Sequence, residues 1–499
     1  MAEILSKLTS VSPRPHTSIT SDEDYNNQIR DLVLYLQQLN RTSDILALSG
    51  FLLDNLDPAS HSLSYLFVFL LKVQSAQDGN KNRLSEEIYP WGELWLKAVR
   101  FLRSFDSFQI RYAGHEWRQL AELVIQAAHA ISKPALAVPV IRDAILRLDP
   151  SSEVLTSIHI AFIKLCLKSR SYSLALPVLD RQICHFPTTT GQAYQKYHQP
   201  VLSREYESSM AFITDASGFS TKLTYRDHLR YFLYGAMIYI ALKRWDKALH
   251  FLSIVISCPV TNAVSKLMVE GYKKWVLVNL LRYGKMTSHP GVISAHVMRA
   301  YQSLAKPYIS LADAFEKSDI QRIKAEVDIA RSIWRIDNNT GLVYQVISAF
   351  NRCMTLKLGR TFSALTMADV AQLSDCPAPL ADVESSVASL VMSGALKAVL
   401  LHSQNYDDCT MLRFSSTANS RIHRECSIQE RIMQEGQSLC VVAQNTHQTN
   451  HELELSNDHF LFLQKSLKWS DNTGKGSVNA PDEAGTGFDV DEDIMGDIH

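Results

Sequence analysis

The chain has 499 residues, with 50 Lys and Arg set against 51 Asp and Glu, a formal charge of −1 and a sequence pI near 7.0. That balance gives no electrostatic drive toward nucleic acid or an anionic membrane, so both are disfavoured as bulk partners. The 19 Gly and 16 Pro amount to roughly 4% and 3%, below the usual ~7% and ~5%. With 46% apolar residues, this composition predicts a large, mostly helical chain of roughly two to four domains.

Met1-Ala2-Glu3-Ile4 carries no basic region followed by an apolar run, so no signal peptide is expected. Ala2 excludes the myristoylation pattern, and the last residues form no prenylation box. The longest apolar stretches, Tyr65 to Leu71 and Tyr231 to Leu242, are shorter than the ~20 residues of a membrane-spanning helix. Eight scattered cysteines without any Cys-x-x-Cys pattern suit reduced thiols in a cytoplasmic and nuclear protein.

Residues 1–24, rich in Ser, Thr and Pro from 11 onward, read as a flexible leader. A helical period opens with Ile29, Leu32, Val33, Leu36 and Leu39. Val138, Ile141, Ile145 and Leu148 form another stripe, stopped at Asp149-Pro150. Leu155, Ile158, Phe162 and Leu165 follow, then Tyr172, Ala175, Leu176, Leu179 and Ile183. Successive helices with tight turns predict an antiparallel stack, a helical-repeat solenoid over 25–340. Tyr231, Tyr234, Gly235 and Ile238, then Ala248, Leu252 and Pro259, loosely follow the tetratricopeptide pattern. Gly235 and Ala248 would let paired helices approach closely, with Trp245 at the turn. Residues 187–225 are polar and weakly periodic, and read as a surface loop.

Beyond Asp337-Asn338-Asn339-Thr340-Gly341 the pattern changes. A helix carries Val343, Val346, Ile347, Phe350 and Met354. Thr366-Met367-Ala368-Asp369 is a capping-box variant opening a short helix through Leu373. Leu380, Val383, Val387, Leu390 and Val391 mark the next helix, stopped at Gly394. Leu396 to Leu401 and Thr410 to Phe414 read as strands joined by a polar turn, Ser403 to Asp408. Two helices and a two-stranded wing predict a winged-helix module over 341–418. Ile428, Ile432, Leu439 and Val442 then follow at spacings of 4, 7 and 3, a heptad seam on an exposed helix. A shorter helix with Phe460, Leu463 and Leu467 completes a helical region over 419–469. Residues 470–499 are Gly- and Asp-rich, with seven acids and no Lys or Arg from Asp482 on, and are expected to be disordered.

No constellation for catalysis, metal or cofactor emerges. His115-Glu116-Trp117-Arg118-Gln119 has Gln where a zinc helix needs its second His. Gly474-Lys475-Gly476-Ser477 lacks the full phosphate loop, and Ile494 replaces the turn glycine a calcium loop needs after Asp489, Asp491 and Asp493. A winged helix could bind DNA, but its second helix, Leu380 to Ser393, has no Lys or Arg and carries Asp382 and Glu384, which phosphate would repel. The strand at 396–401 is apolar apart from Lys397, which suits pairing along a sheet edge with another chain. A proline at Val399 is expected to remove a ladder donor from that edge.

Helical repeats, a winged helix and then a long helix resemble the PCI-domain proteins, scaffold subunits of the proteasome lid, the COP9 signalosome and translation initiation factor three. Four stretches are similar to the signalosome members in particular. These are Thr156 to Leu167, Tyr234 to Tyr239, Gly271 to Lys285, and Asp337 to Val343. The resemblance spans roughly 130–470 and implies a fold that is all-α apart from a small β wing. It implies a non-catalytic subunit without cofactor or metal, in the complex that removes a ubiquitin-like modifier from cullins. The partners implied are other PCI-domain subunits, the metalloprotease-containing subunits and, indirectly, cullin-RING ligases. In such complexes winged helices align edge to edge and the C-terminal helices enter a shared bundle. Carried onto this chain, Lys397, Ala398, Val399 and Leu400 become candidates for the edge interface. Ile428, Ile432, Leu439 and Val442 become candidates for the bundle. A proteasome-lid scaffold is the nearest alternative, and a DNA-binding regulator the alternative of another class.

Overall fold

The helical periods fold as paired helices in the computed structural model, which describes residues 2–11, 22–39, 44–77, 86–187, 202, 209–259, 264–373, 380–402, 410–414, 421–454 and 461. Residues up to Ser416 belong to one compact unit and those from Thr417 to a second. The first unit opens with α1 (Ala2–Leu8), α2 (Asp22–Leu39), α3 (Asp44–Asn55) and α4 (Ser62–Gln77). It continues with α5 (Glu93–Ser104), α6 (Ser107–Ile110), α7 (Gly114–Ala130), α8 (Ala137–Leu148), α9 (Ser157–Ser169) and α10 (Tyr172–Leu179). After a partly described connection come α11 (Tyr225–Ala241), α12 (Trp245–Ile256), α13 (Lys266–Tyr283), α14 (Ala295–Leu304), α15 (Lys306–Glu316), α16 (Ile320–Ile329) and α17 (Arg331–Ile336).

Neighbouring helices bury each other's stripes, as the periodicity required: Val138, Ile141, Ile145, Ile158, Phe162 and Leu165 are all sealed in one core. Gly235 permits the closest approach. A Cβ there would stand 2.7 Å from Phe251 Cε1 and 3.0 Å from Leu179 Cδ2, so α11 meets α12 and α10 only because that hydrogen is all it carries. Ala248 is fully buried in the same contact.

Five turns between successive helices share one device. Ser132, Arg170, Lys243, Ser318 and Asn338 all adopt left-handed backbone, with φ of 55–57°. In each case the next N–H donates to the carbonyl five residues back: Lys133 to Ala128, Ser171 to Cys166, Arg244 to Tyr239, Asp319 to Ala314 and Asn339 to Trp334. This is the Schellman closure, which satisfies a helix-end carbonyl and reverses the chain. Glycine usually fills the left-handed position; here none of the five is glycine.

Two expectations need correction. Residues 2–11 are not a loose leader. They form α1 and a following turn, with Leu8 and Val11 buried. Ser64 Oγ donates to the Leu8 carbonyl at 2.7 Å, and His61 Nδ1 to that of Val11 at 3.0 Å. Residues 22–24 already belong to α2, and 12–21 lie outside the described residues. The 187–225 segment is likewise not a surface loop where it is described. Phe212, Ile213 and Phe219 enter the core, and Phe219 lies 5.9 Å edge-on to Trp117. That contact extends a run of rings through Phe105, Phe101 and Tyr65.

The winged helix begins within α18 (Thr340–Thr361), which serves both parts of the unit. Val343, Val346 and Phe350 sit in the solenoid core, while Leu358 helps build a second, smaller core. Next come β1 (Ala364–Thr366), α19 (Met367–Leu373), α20 (Leu380–Met392), β2 (Ala398–His402) and β3 (Thr410–Phe414). The strands form an antiparallel sheet in the order β1-β3-β2. Its inner face packs Leu365, Ala398 and Leu412 against Val370, Val383, Val387 and Leu390. The capping box opens α19 as expected: Thr366 Oγ1 donates to Asp369 Oδ2 at 2.7 Å, and Asp369 N–H donates to Thr366 Oγ1 at 3.2 Å. The wing turn at 403–408 lies outside the described residues. The second unit contains α21 (Arg421–Glu454), a helix of 34 residues. The expected helix at Phe460, Leu463 and Leu467 and the tail at 470–499 also lie outside the described residues.

Candidate docking surfaces

The Asp337 to Gly341 break turns the chain from α17 into α18, the helix shared by the solenoid and the winged helix, and a buried polar relay fixes that turn. Asp337 ends α17. Its Oδ2 accepts from Lys273 Nζ at 2.8 Å and from Tyr308 OH at 2.8 Å. The Tyr308 oxygen in turn accepts from Asn339 Nδ2 at 2.8 Å, and Asn339 is fully buried. Burial, with the Asp337 carboxylate beside it, pushes the Tyr308 hydroxyl well above its ordinary range, so it stays a protonated donor. Left-handed Asn338 turns the chain between these groups. The relay therefore ties α13, α15 and the start of α18 together, and α18 carries the module.

Backbone alternation decides which strand groups face outward. Phe414 N–H donates to the Ser363 carbonyl at 2.9 Å, on the β1 side. In an antiparallel ladder hydrogen-bonding direction alternates, so Thr410, Leu412 and Phe414 face β1 while Met411 and Arg413 face β2. Their β2 partners are Leu401 and Val399. Among the described residues β2 pairs with β3 alone, so the residues offering N–H and C=O to its other side are Ala398, Leu400 and His402.

This geometry revises the expectation for Val399, whose N–H belongs to the internal ladder, so a proline there would break the module's own sheet. It also separates the four candidates. Lys397 precedes the strand and is exposed; Ala398 turns its methyl into the module core. Val399 projects from the outer face at 52% exposure, and Leu400 is half-buried against the core. Ala398 and Leu400 thus contribute backbone to the edge, while Val399 contributes a side chain to the face beside it.

That outer face is more apolar than the sequence alone suggested. Val399, Leu401 and Met411 are all exposed on it. The opposite end of the strand is tethered: Thr410 Oγ1 donates to Glu384 Oε1 at 2.9 Å and lies 3.0 Å from His402 Nδ1. Glu384 is thereby committed to the base of the wing, and Asp382 is exposed on α20. The helix that would enter a DNA groove presents acid and no base.

The four seam residues of α21 are exposed, at 45% for Ile428, 65% for Ile432, 70% for Leu439 and 52% for Val442. Three large apolar residues at helical spacing point outward: Ile329 on α16 and Ile333 and Ile336 on α17 are exposed at steps of 4 and 3, as is Tyr344 on α18. Such spacing ordinarily marks a buried face, and here Ile323, Val327 and Trp334 take that role instead. Among the described residues, no group of three or more His, Cys, Asp or Glu could hold a metal ion. No described helix is long and apolar enough to cross a membrane.

Comparison with known proteins accords with this architecture. Residues 26–297 match the family of COP9 signalosome complex subunit 3, N-terminal helical repeats. A COP9 signalosome complex subunit 3 from Emericella nidulans is 46% identical over 499 residues, covering 100% of both chains. Proteins of the same name from Dictyostelium discoideum and Arabidopsis thaliana are each 27% identical, over 76% and 70% of this chain and 81% and 70% of theirs. A solenoid followed by a winged helix, matched end to end by such a relative, establishes that the chain belongs to the COP9 signalosome subunit 3 family.

Proposed function

We propose that the chain is a non-catalytic scaffold subunit of the COP9 signalosome, the assembly that removes a ubiquitin-like modifier from cullins and so regulates cullin-RING ligases. It works in cytoplasm and nucleus, holding other PCI-domain subunits and, through them, the metalloprotease-containing subunits. The observation that carries this reading is the presence, on a chain of this family, of two surfaces left open among the described residues. One is the β2 edge, with the outward N–H and C=O groups of Ala398, Leu400 and His402 and the flanking Lys397 and Val399. The other is the α21 seam of Ile428, Ile432, Leu439 and Val442.

Each surface suits assembly for a physical reason. An unpaired strand edge templates another strand, and main-chain bonds give affinity with little demand on side chains. Four large apolar residues in one stripe gain roughly 1.5–3 kcal/mol each when fully buried, enough to hold a helix in a bundle once association costs are met.

Deletion of the gene in its own organism tests the reading. Cullins should accumulate in their modified form, and the full-length chain should restore them. A chain ending at residue 418 keeps the solenoid and module of the first unit. It should remain helical yet fail to restore. Normal cullin processing without the chain would refute the functional reading. Full rescue by the shortened chain would refute the role of α21.

A further inference from the structure

The α21 seam contains a charge at its centre. Its apolar residues are spaced 4, 7 and 3, whereas a continuous seam alternates steps of three and four. The skipped position lies three residues after Ile432 and four before Leu439, and it is Glu435. At about 100° per residue, the four apolar side chains occupy an arc of roughly 80°, and Glu435 projects inside that arc, between Ile428 and Val442. It is exposed in the isolated helix, where water solvates the carboxylate. Burying the stripe against another helix buries Glu435 with it.

We infer that Glu435 selects the partner of the seam: a helix of another subunit that places a Lys or Arg opposite it. This inference rests on the reading of α21 as a bundle helix. A carboxylate taken into an apolar interface without a counter-charge costs several kcal/mol, enough to cancel the gain from two of its apolar neighbours. A second copy of this chain in parallel register would set Glu435 against Glu435, and an all-apolar partner would leave it unpaired. A helix with a cation at that layer satisfies it and admits one register. Polar groups in otherwise apolar seams specify register and partner in this way, at some cost in stability. On α21 itself the nearest cation is Arg431, one turn earlier on the flank of the arc. Small residues on the other flank, Gly436 and Ala443, leave room for close approach.

The test uses full-length chain and a co-expressed assembly of the remaining subunits, with affinity measured at low and high salt. Glu435→Lys should weaken incorporation by about a hundredfold or more, because it opposes like charges in a desolvated layer. Glu435→Leu should bind as well as the native chain or better, with a shallower salt dependence, and should tolerate foreign seam helices that the native chain rejects. Reversing the opposing Lys or Arg of the partner subunit should rescue Glu435→Lys. Native-like binding by Glu435→Lys would overturn the inference. A loss on Arg431→Ala equal to that on Glu435→Lys would place the counter-charge on α21 and overturn it too. Ile432→Asp separates this from the underlying reading: if it abolishes incorporation while Glu435→Lys does not, the seam stands and its selectivity falls. If Ile432→Asp also binds normally, the bundle reading itself falls. Circular dichroism of each variant checks that α21 remains helical.

Discussion

Asp337→Ala should be among the most damaging single substitutions outside the apolar core. Asp337 Oδ2 accepts from both Lys273 and Tyr308 at 2.8 Å, and the Lys273 and Asp337 side chains are only 16% and 18% exposed. Removing the carboxylate leaves a nearly buried ammonium without its partner and a buried hydroxyl without its acceptor. Breaking such a pair from one side costs about 3–5 kcal/mol. Tyr308→Phe removes the bond to Asp337 and the acceptor for Asn339, which on ordinary hydrogen-bond values costs about 2 kcal/mol. The two changes share one bond, so the double variant should fall short of their sum by about 1 kcal/mol or more. Urea unfolding of the four proteins measures the cycle, and hydrogen exchange over 331–350 localises the loss to the joint. Stability within about 0.5 kcal/mol of native for Asp337→Ala, or strict additivity in the cycle, would refute the relay as the element that fixes α18.

Gly235→Val should destabilise by about 2 kcal/mol or more, since overpacking outweighs the few tenths of a kcal/mol of helix propensity that valine gains over glycine. Phe251, whose Cε1 would lie 2.7 Å from the new Cβ, is held by Tyr239 and Phe232 and cannot simply swing aside. An unchanged melting temperature would contradict that packing. Leu400→Pro should keep the internal ladder, because its N–H faces away from β3. Leu400→Ala serves as the control for the side-chain packing lost; relative to that control, the proline should weaken subunit pairing by about tenfold for one lost main-chain bond. Assembly unchanged by it would remove the β2 edge as an interface. Burial holds the His159 imidazole neutral, lowering its pKa from 6.5 to about 4. Between those values the unfolded chain binds a proton that the native one refuses, so stability is lost as pH falls through 6.5 toward 4, by about 3 kcal/mol in total. His159→Asn should flatten the acid limb of melting temperature against pH. An identical slope in both proteins would refute the assignment.

Where burial alone decides structure, the sequence carried it. The stripes of α8 and α9 follow directly from 3.6-residue spacing, and the Thr366–Asp369 capping box is a pairing of residue types that few other contexts favour. Three features were less legible, each for a stated cause. The Schellman turns use Ser, Arg, Lys and Asn in place of glycine, so nothing in composition marks them. The 209–224 segment buries Phe212, Ile213 and Phe219 without any period, because it packs as an irregular strap. β1 has only three residues and draws its stability from β3, some 45 positions later in the chain. Site residues divide along the same line. The seam of α21 was readable because period and exposure follow from one helix. Which β2 residues face outward depends on the register with β3 and β1, which only the folded sheet supplies.

Two open surfaces are proposed to make this chain a scaffold of the signalosome. Quantitative mass spectrometry of what co-purifies with the tagged full-length chain from its own cells tests it most directly. A scaffold of that complex should bring down a metalloprotease subunit and other PCI-domain subunits in stoichiometric yield, with cullins in lower yield. Recovery of the chain alone, or with proteasome-lid subunits in place of these, would contradict it.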